Sequence, residues 1–476
     1  MVDRGTTAER AELAFDSGGL SSAPRGHPRA VAVAAIVVVA IMVRAQFFDF
    51  RSGDYTAYVG QWYSYIAAHG GFHALKDNFA NYNVPYLYLL AILTYTPVSA
   101  LLGVKLISVA FDLVLAFFVY RIVGLRHPAT WWPVVAGAVV LLLPTVVLNS
   151  SMWGQADSIY SSFGIGGLYF LLRRRPWLAM LFFGLAFAFK LQIVFIFPLL
   201  LLLALRRYIP WRVLPVIPAV YVVLDLPAIL LGASPHDLLT VYSGQTETYS
   251  QLTLNAPNVY QYLGDGGDVH LLRDVGIVVT GVLLLALMVP VVVRRLALTP
   301  TRIVLAATVS VVVVPYFLPS MHERYFYLAD ALVVISAFYV PRRLWPLPIL
   351  EQFASLFSYL PFLLMSTGGG RDPGGFGGGG RAEGAPGQGG AGFRPPGGTT
   401  QGGIAGQRSG GFPGAGSGRP AGGGGATGGG FGGMASHTVI SFTILSTVML
   451  IAVLLVVAMA IREFRTAVAP EALADT

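Results

Sequence analysis

Twelve stretches of mostly apolar residues constrain this chain more than any other feature. A bilayer core roughly 30 Å thick is crossed by about 20 such residues rising about 1.5 Å each. The stretches cover approximately residues 30–48, 103–122, 132–149, 158–172, 177–190, 193–206, 212–231, 272–294, 302–318, 325–341, 344–366 and 437–461. Only 11% of the 476 residues are charged and 55% are hydrophobic, with mean hydropathy +0.66. Soluble domains carry about 25% charged residues. The expected fold is therefore all-α, a polytopic membrane protein of about 12 transmembrane helices. The absence of cysteine excludes disulfides, thiolate metal sites and thiol nucleophiles.

The formal charge is +8. In a membrane chain such an excess reports orientation rather than nucleic-acid binding, so no nucleic-acid partner is expected. Nineteen of the 31 basic residues, from Arg4 to Arg465, fall in alternate inter-span segments, which places both termini in the cytoplasm. Loops 49–84, 150–157, 232–271, 319–324 and 367–436 then face outward. Residues 1–29 form a cytoplasmic tail before a retained anchor, and 30–366 form the main membrane domain. Residues 367–436 form an outer loop, and 437–476 hold the last span and a tail. The stretch Gly368 to Gly433 contains 33 of the 56 glycines and reads as a disordered tether. No internal repeat is present, which weakens a secondary-transporter reading.

Polar side chains near the bilayer are costly, so those away from the basic ends are informative. In the first outer loop, Asp49 and Asp54 follow the first span, and Gly53 permits a tight reversal. Tyr55, Tyr58, Trp62 and Tyr63 would hold Asp54 near the membrane surface. Apolar and aromatic positions from Thr56 to Leu75 recur every three to four residues, as in a helix lying in the interface. Residues 86–97 are too short to span and suit a re-entrant or surface helix. The second outer loop offers Trp153, Gln155 and Asp157, an aromatic face with an amide and a carboxylate, which suit a sugar. A helix cap by Asp157 or Ser158 is the alternative. Lys190 and Gln192 interrupt an apolar run, where a phosphate partner or snorkelling would offset the cost of the cation. His322, Glu323 and Arg324 supply a proton shuttle, an acceptor and a phosphate fork in one loop. Asn255 belongs to a further outer set of hydrogen-bonding residues, with Gln245, Glu247, Thr253 and Asn258.

The succession of Ser-Gly-Asp-Tyr (52–55), Ala-Leu-Lys-Asp (74–77), Tyr-Asn-Val-Pro-Tyr (82–86), Trp-Gly-Gln-Ala-Asp-Ser-Ile-Tyr (153–160), Phe-Lys-Leu-Gln (189–192), Leu-Thr-Leu-Asn-Ala-Pro-Asn (252–258) and Met-His-Glu-Arg-Tyr-Phe-Tyr (321–327) resembles bacterial relatives of the GPI mannosyltransferases. These belong to the GT-C glycosyltransferases, and the match covers about residues 30 to 345. The resemblance implies an inverting enzyme of the bacterial plasma membrane, with its active site facing outward. It would take a hexose, mannose by resemblance, from a polyprenyl-monophosphate donor to a glycan, lipid or protein acceptor. Asp54 matches the second acid of that family's Asp-x-Asp pair, whereas Ser52 stands where the first would be. The departure removes half of a metal-binding pair, so no metal ligand is assigned; the expectation is that no cofactor is required, with a divalent metal left open. The His-Glu-Arg loop is one residue shorter than the family's motif and holds one acid.

Displacement at an anomeric carbon needs a base for the acceptor hydroxyl and a cation for the departing phosphate. Asp54 is the expected base, with Asp49 as rival because it too opens the outer loop; its flanking Phe48 and Phe50 suggest a more buried acid. Arg324, Lys190 and His322 form the expected phosphate clamp. Trp153, Gln155, Asp157, Glu323, Gln192, Asn255 and Tyr55 are expected to hold sugar or acceptor, the apolar grooves between helices are expected to take the prenyl tail, and membrane lipid is a further expected partner. A lipid-linked sugar transporter or flippase is the alternative; it would need polar residues along a path to the cytoplasmic side, and the mid-span acids are few, Asp112, Asp225 and Asp330.

Overall fold

The structure, a computed structural model, describes residues 26–247, 251–263, 268–365 and 440–466; the expectations for the Gly-rich tract and the tails lie outside these. The α-helices are α1 (Gly26–Ala45), α2 (Gly60–Ala68), α3 (Val84–Leu93), α4 (Ala100–Arg126), α5 (Trp132–Leu142), α6 (Pro144–Val147), α7 (Asp157–Leu172), α8 (Pro176–Phe189) and α9 (Phe197–Leu205). They continue with α10 (Val216–Leu231), α11 (Pro235–Glu247), α12 (Val269–Val293), α13 (Pro300–Phe317), α14 (Tyr327–Tyr339), α15 (Pro341–Leu344), α16 (Pro346–Met365) and α17 (Phe442–Arg465). Two short strands, β1 (Thr253–Leu254) and β2 (Met321–His322), pair in parallel, with Thr253 opposite Met321 and Leu254 opposite His322.

Seven helical stretches among the described residues are long and apolar enough to cross a bilayer: Pro28–Ala45, Ala100–Arg126, Trp211–Leu231, Val269–Val293, Pro300–Phe317, Pro346–Leu364 and Phe442–Arg465. The protein is thus a multi-pass membrane protein. An eighth crossing arises if Trp132–Leu142 and Pro144–Trp153 form one span, bent by 52°. Proline at 144 cannot donate a helical hydrogen bond, which accounts for the break. By length and composition seven or eight therefore qualify, where the sequence reading expects about twelve. The other expected stretches are helical but short or broken. Lys190 adopts an extended backbone (φ −157°, ψ 136°) and parts α8 from the turn Leu191–Ile196 that leads into α9.

Helix α14 lies at the centre, with eleven of its thirteen residues buried. A helix apolar on nearly every side has no solvent or lipid face, and it packs against α4, α5, α7, α13 and α16. Its polar groups find partners in neighbouring helices. Tyr327 donates to Asp112 at 3.2 Å, while Arg44 of α1 donates to the same carboxylate at 2.8 and 3.0 Å and to the Leu141 carbonyl at 2.9 Å. Asp330 accepts from Thr145 at 2.7 Å and Gln352 at 2.8 Å. Breaking a buried ion pair of this kind costs about 3–5 kcal/mol, so these contacts fix how the helices sit.

The segment after the first span folds as a helical module on one end of the bundle. A wide helical turn (Tyr55–Val59), α2, a tight turn (Gly71–Lys76) and α3 bury Trp62, Ile66, Leu75, Leu87 and Leu90 against Val104 of α4. The periodic aromatic positions are helical as expected, with Trp62 and Ile66 turned inward. Helix α3 has only ten residues, too few to span. The expected reversal at Gly53 is not found, because Gly53 already lies in helix and Asp54 is right-handed helical (φ −61°). The left-handed turn lies instead at Gly154, with φ +78°, a conformation glycine adopts without steric cost.

Candidate functional site

Asp54 lies at the start of the wide turn Tyr55–Val59, and the two residues flanking Gly154 meet it there. Trp153 Nε1 donates to Asp54 Oδ2 at 3.0 Å, and Gln155 Nε2 donates to the same oxygen. Both donors fall on one oxygen, so Oδ1 remains available on a side chain that is 35% exposed. The left-handed turn explains the geometry: it lets residues on either side of Gly154 aim at one acceptor. Ser52, buried beneath, donates to the Trp153 carbonyl at 2.7 Å and accepts the Tyr55 backbone N–H at 3.2 Å. The residue standing where a first acid would be is therefore a latch between the two segments. Residues 150–153, expected as loop, are helical and continue the bent span.

Arg324 reaches this group from the loop between α13 and α14. Its Nη1 lies 3.0 Å from Glu323 Oε1 and 4.0 Å from Asp54 Oδ2, and its guanidinium sits 5.5 Å from the Trp153 ring centre. Arg324 Nε is buried with no hydrogen-bond partner. The β1–β2 pairing sets the loop's height: Ser320 N–H donates to the Leu252 carbonyl at 2.8 Å and Glu323 N–H to that of Leu254 at 3.2 Å. Asn255, left-handed at φ +61°, bridges to His322 through the backbone. Burial works against the Arg324 cation, but Glu323, Asp54 and Asp157 more than offset it and raise its pKa well above the usual value. Burial also raises Glu323, but His322 and Arg324 outweigh it and hold the carboxyl below its usual range. Burial and the Arg324 charge lower His322 despite its acidic neighbours. The lowered pKa favours the neutral, hydrogen-bonding imidazole of His322 at neutral pH.

Lys190 neither snorkels nor stands alone. Its side chain is 8% exposed and its ammonium is ion-paired to Asp157 Oδ1, while Asn149 Nδ2 donates to Asp157 Oδ2 at 2.9 Å. Asp157 and Gln155, two residues apart, therefore serve different partners. The helix-cap alternative fails for both candidates: Asp157 is the first residue of α7, Ala156 makes no side-chain cap, and Ser158 donates to the Ser108 carbonyl at 2.9 Å. Asp49 corrects a further expectation, since it is exposed while Asp54 is part-buried. Gln192 lies in the turn after Lys190, with Oε1 buried and unbonded, and no contact brings it to Asp54. Tyr55 turns its ring towards Gly60. Asp54, Trp153, Gln155 and Arg324 thus share direct contacts, with Glu323 beside His322 and the Lys190–Asp157 ion pair as neighbours.

Two supporting residues escaped the sequence reading. Lys105 donates to the carbonyls of Phe47, Phe48 and Phe50 at 2.7, 3.0 and 2.5 Å, which folds the chain back as it leaves α1. Its signal was a lone cation near the start of an apolar run. Ser108 donates to the Gln155 carbonyl at 2.6 Å and fixes the second segment on α4. No known family model matches the chain, and no curated protein matches it.

Proposed function

We propose that the protein is an integral-membrane inverting glycosyltransferase of the GT-C type. It moves a hexose from a polyprenyl-monophosphate donor to a glycan, lipid or protein acceptor outside the plasma membrane. The choice of mannose rests on the resemblance alone. In this reading the short or broken stretches complete further crossings, to about twelve in all. The observation that carries the proposal is the Asp54 carboxylate, oriented on one oxygen by Trp153 and Gln155 and set 4.0 Å from Arg324. A base with one free oxygen beside a buried cation is what direct displacement from a lipid phosphate asks for. Asp54 Oδ1 accepts the acceptor's hydroxyl proton as the new glycosidic bond forms. The carbon–oxygen bond to the carrier phosphate breaks as Arg324, with Lys190 and a neutral His322, receives the developing dianion. The Trp153 ring supports the sugar face, while Asp157 keeps Lys190 in place. Of the mid-span acids, Asp112 and Asp330 already have intramolecular partners, which favours this reading over a transporter, whereas Asp225 Oδ2 is buried without a hydrogen-bond partner among the described residues.

The test is transfer in proteoliposomes containing polyprenyl-phosphate-mannose, with membrane extract as acceptor and wild type beside Asp54→Asn. Loss of at least about 10²-fold with unchanged expression is expected. Full turnover in Asp54→Asn with loss in Asp49→Asn moves the base to Asp49. Donor left intact by the wild type, with the glucose-linked carrier also tried, overturns the enzyme.

A further inference from the structure

The end of the bundle opposite Asp54 carries a second constellation. Helix α7 begins at Asp157, beside the candidate site, and Arg173 follows its last residue sixteen positions later, about 24 Å away at 1.5 Å per residue. Lys105 and Arg121 on α4 are separated by the same sixteen positions, again about 24 Å. At this far end Arg29 of α1, Arg121 of α4 and Arg173 converge on a cavity of about 300 Å³, closed on one side by residues 127–130. Arg29 Nη2 donates to the Ala129 carbonyl at 2.6 Å, and Arg121 Nη2 to the Tyr169 hydroxyl at 2.7 Å. These are uncharged acceptors. Among the described residues no carboxylate lies within ion-pair distance of Arg29, Arg121 or Arg173.

A second cavity of about 360 Å³ adjoins the first and shares Arg121, Tyr169 and Arg173 with it. Phe117, Phe118 and Phe170 form its apolar wall. Trp131 and Trp132 are about half exposed beside this end, as indole rings are where they meet a membrane–water boundary. A cationic bowl continuous with an aromatic trough is a two-part receptor, in which the charge suits a phosphate and the trough suits hydrocarbon.

We propose that this is a binding site for an anionic membrane lipid, with its phosphate on Arg29, Arg121 and Arg173 and its chain along Phe117 and Phe170. A soluble phosphate would satisfy the arginines and leave the adjoining trough empty, which is why a lipid is assigned. The site is independent of the proposed sugar transfer, since no residue is shared with the Asp54 cluster.

The full-length protein, purified in detergent, is titrated with phosphatidylglycerol, phosphatidylcholine or inorganic phosphate and read by native mass spectrometry. Wild type should retain phosphatidylglycerol in preference to phosphatidylcholine. Arg121→Gln combined with Arg173→Gln should weaken that retention about 30-fold, for two charges lost near a lipid phosphate. Arg126→Gln, an exposed charge outside the cavities, should leave it unchanged. Should the double variant fail to fold, Arg29→Gln alone on α1 should weaken retention about fivefold. Equal retention of the two lipids, unchanged binding in these variants, or full displacement of the lipid by millimolar phosphate would overturn the proposal.

Discussion

The buried pair of Lys190 and Asp157 allows scaffold and chemistry to be separated by one set of variants. Lys190→Met leaves the Asp157 carboxylate with the Asn149 amide as its remaining neutral donor, in a site where the acid is 1% exposed. Asp157→Asn leaves a buried ammonium without its counter-charge. Each single change should therefore cost about 3–5 kcal/mol, the usual result of stranding one member of a buried pair. Together they strand nothing, because methionine keeps the length of the lysine stem and asparagine can still meet Asn149. The double variant should lose only about 1–2 kcal/mol, far less than the sum of the singles. Unfolding in mixed micelles at increasing dodecyl sulfate, followed by tryptophan fluorescence, measures all four proteins. If Lys190 also receives the carrier phosphate, the recovered double variant should be folded yet transfer sugar at least about 10²-fold more slowly. Additive losses, or single losses below about 1 kcal/mol, would refute the account of the pair. Full transfer by the double variant would make Lys190 a strut alone.

Acid should destabilise the protein through the loop at residues 322–324. His322 has a folded pKa below its ordinary 6.5, so the unfolded chain takes up a proton first and stability falls as pH drops below about 6.5. Glu323 is also depressed, from an ordinary 4.5, and its contribution is complete above that value and lost as pH falls through the lower folded one. Micelle unfolding between pH 8 and 3 should show both phases, and His322→Asn should remove the first; a flat profile would contradict the burial described. Ser52→Ala should cost about 1–3 kcal/mol by leaving the Trp153 carbonyl and the Tyr55 N–H unpaired, and should slow transfer by loosening the aim of Trp153. Ser52→Asp should be worse, since it sets a carboxylate against a carbonyl oxygen; faster transfer in that variant would defeat the latch.

The candidate site residues were visible in the sequence because polar groups are costly near a bilayer. Asp54, Trp153, Gln155 and Arg324 were each picked out, and the fold brings them together. Their pairings were not legible, because the deciding partner lies far along the chain. Whether Lys190 snorkels, meets phosphate or pairs with an acid depends on Asp157, thirty-three positions earlier. Immediate neighbours in the sequence make Asp49 the more buried acid, whereas the α2–α3 module and the Gly154 turn leave Asp49 exposed and Asp54 part-buried. The helical nature of the membrane domain was plain from apolar runs. Their division into spans was harder to read, since hydropathy sums over a window and passes smoothly across breaks such as those at Pro144 and Lys190. Lys105 was overlooked because its acceptors are backbone carbonyls, which leave no trace in side-chain composition.

The latch through Ser52 and the convergence on Asp54 also set a timetable for biogenesis. Trp153 is 99 positions downstream of Asp54, and Arg324 follows 270 positions after it. At about 5–20 residues per second, a ribosome delivers the first partner about 5–20 s after the carboxylate and the cation about 14–54 s after it. During that interval the segment carrying Asp54 must be threaded and held without either neighbour, next to a translocation machinery still receiving helices. A nascent chain stalled between residues 155 and 324 carries the acid and both of its donors but not the Arg324 guanidinium. Arrest of translation at chosen lengths would therefore yield a graded series, in which tryptophan near residue 153 reports the first docking and anion binding reports the last.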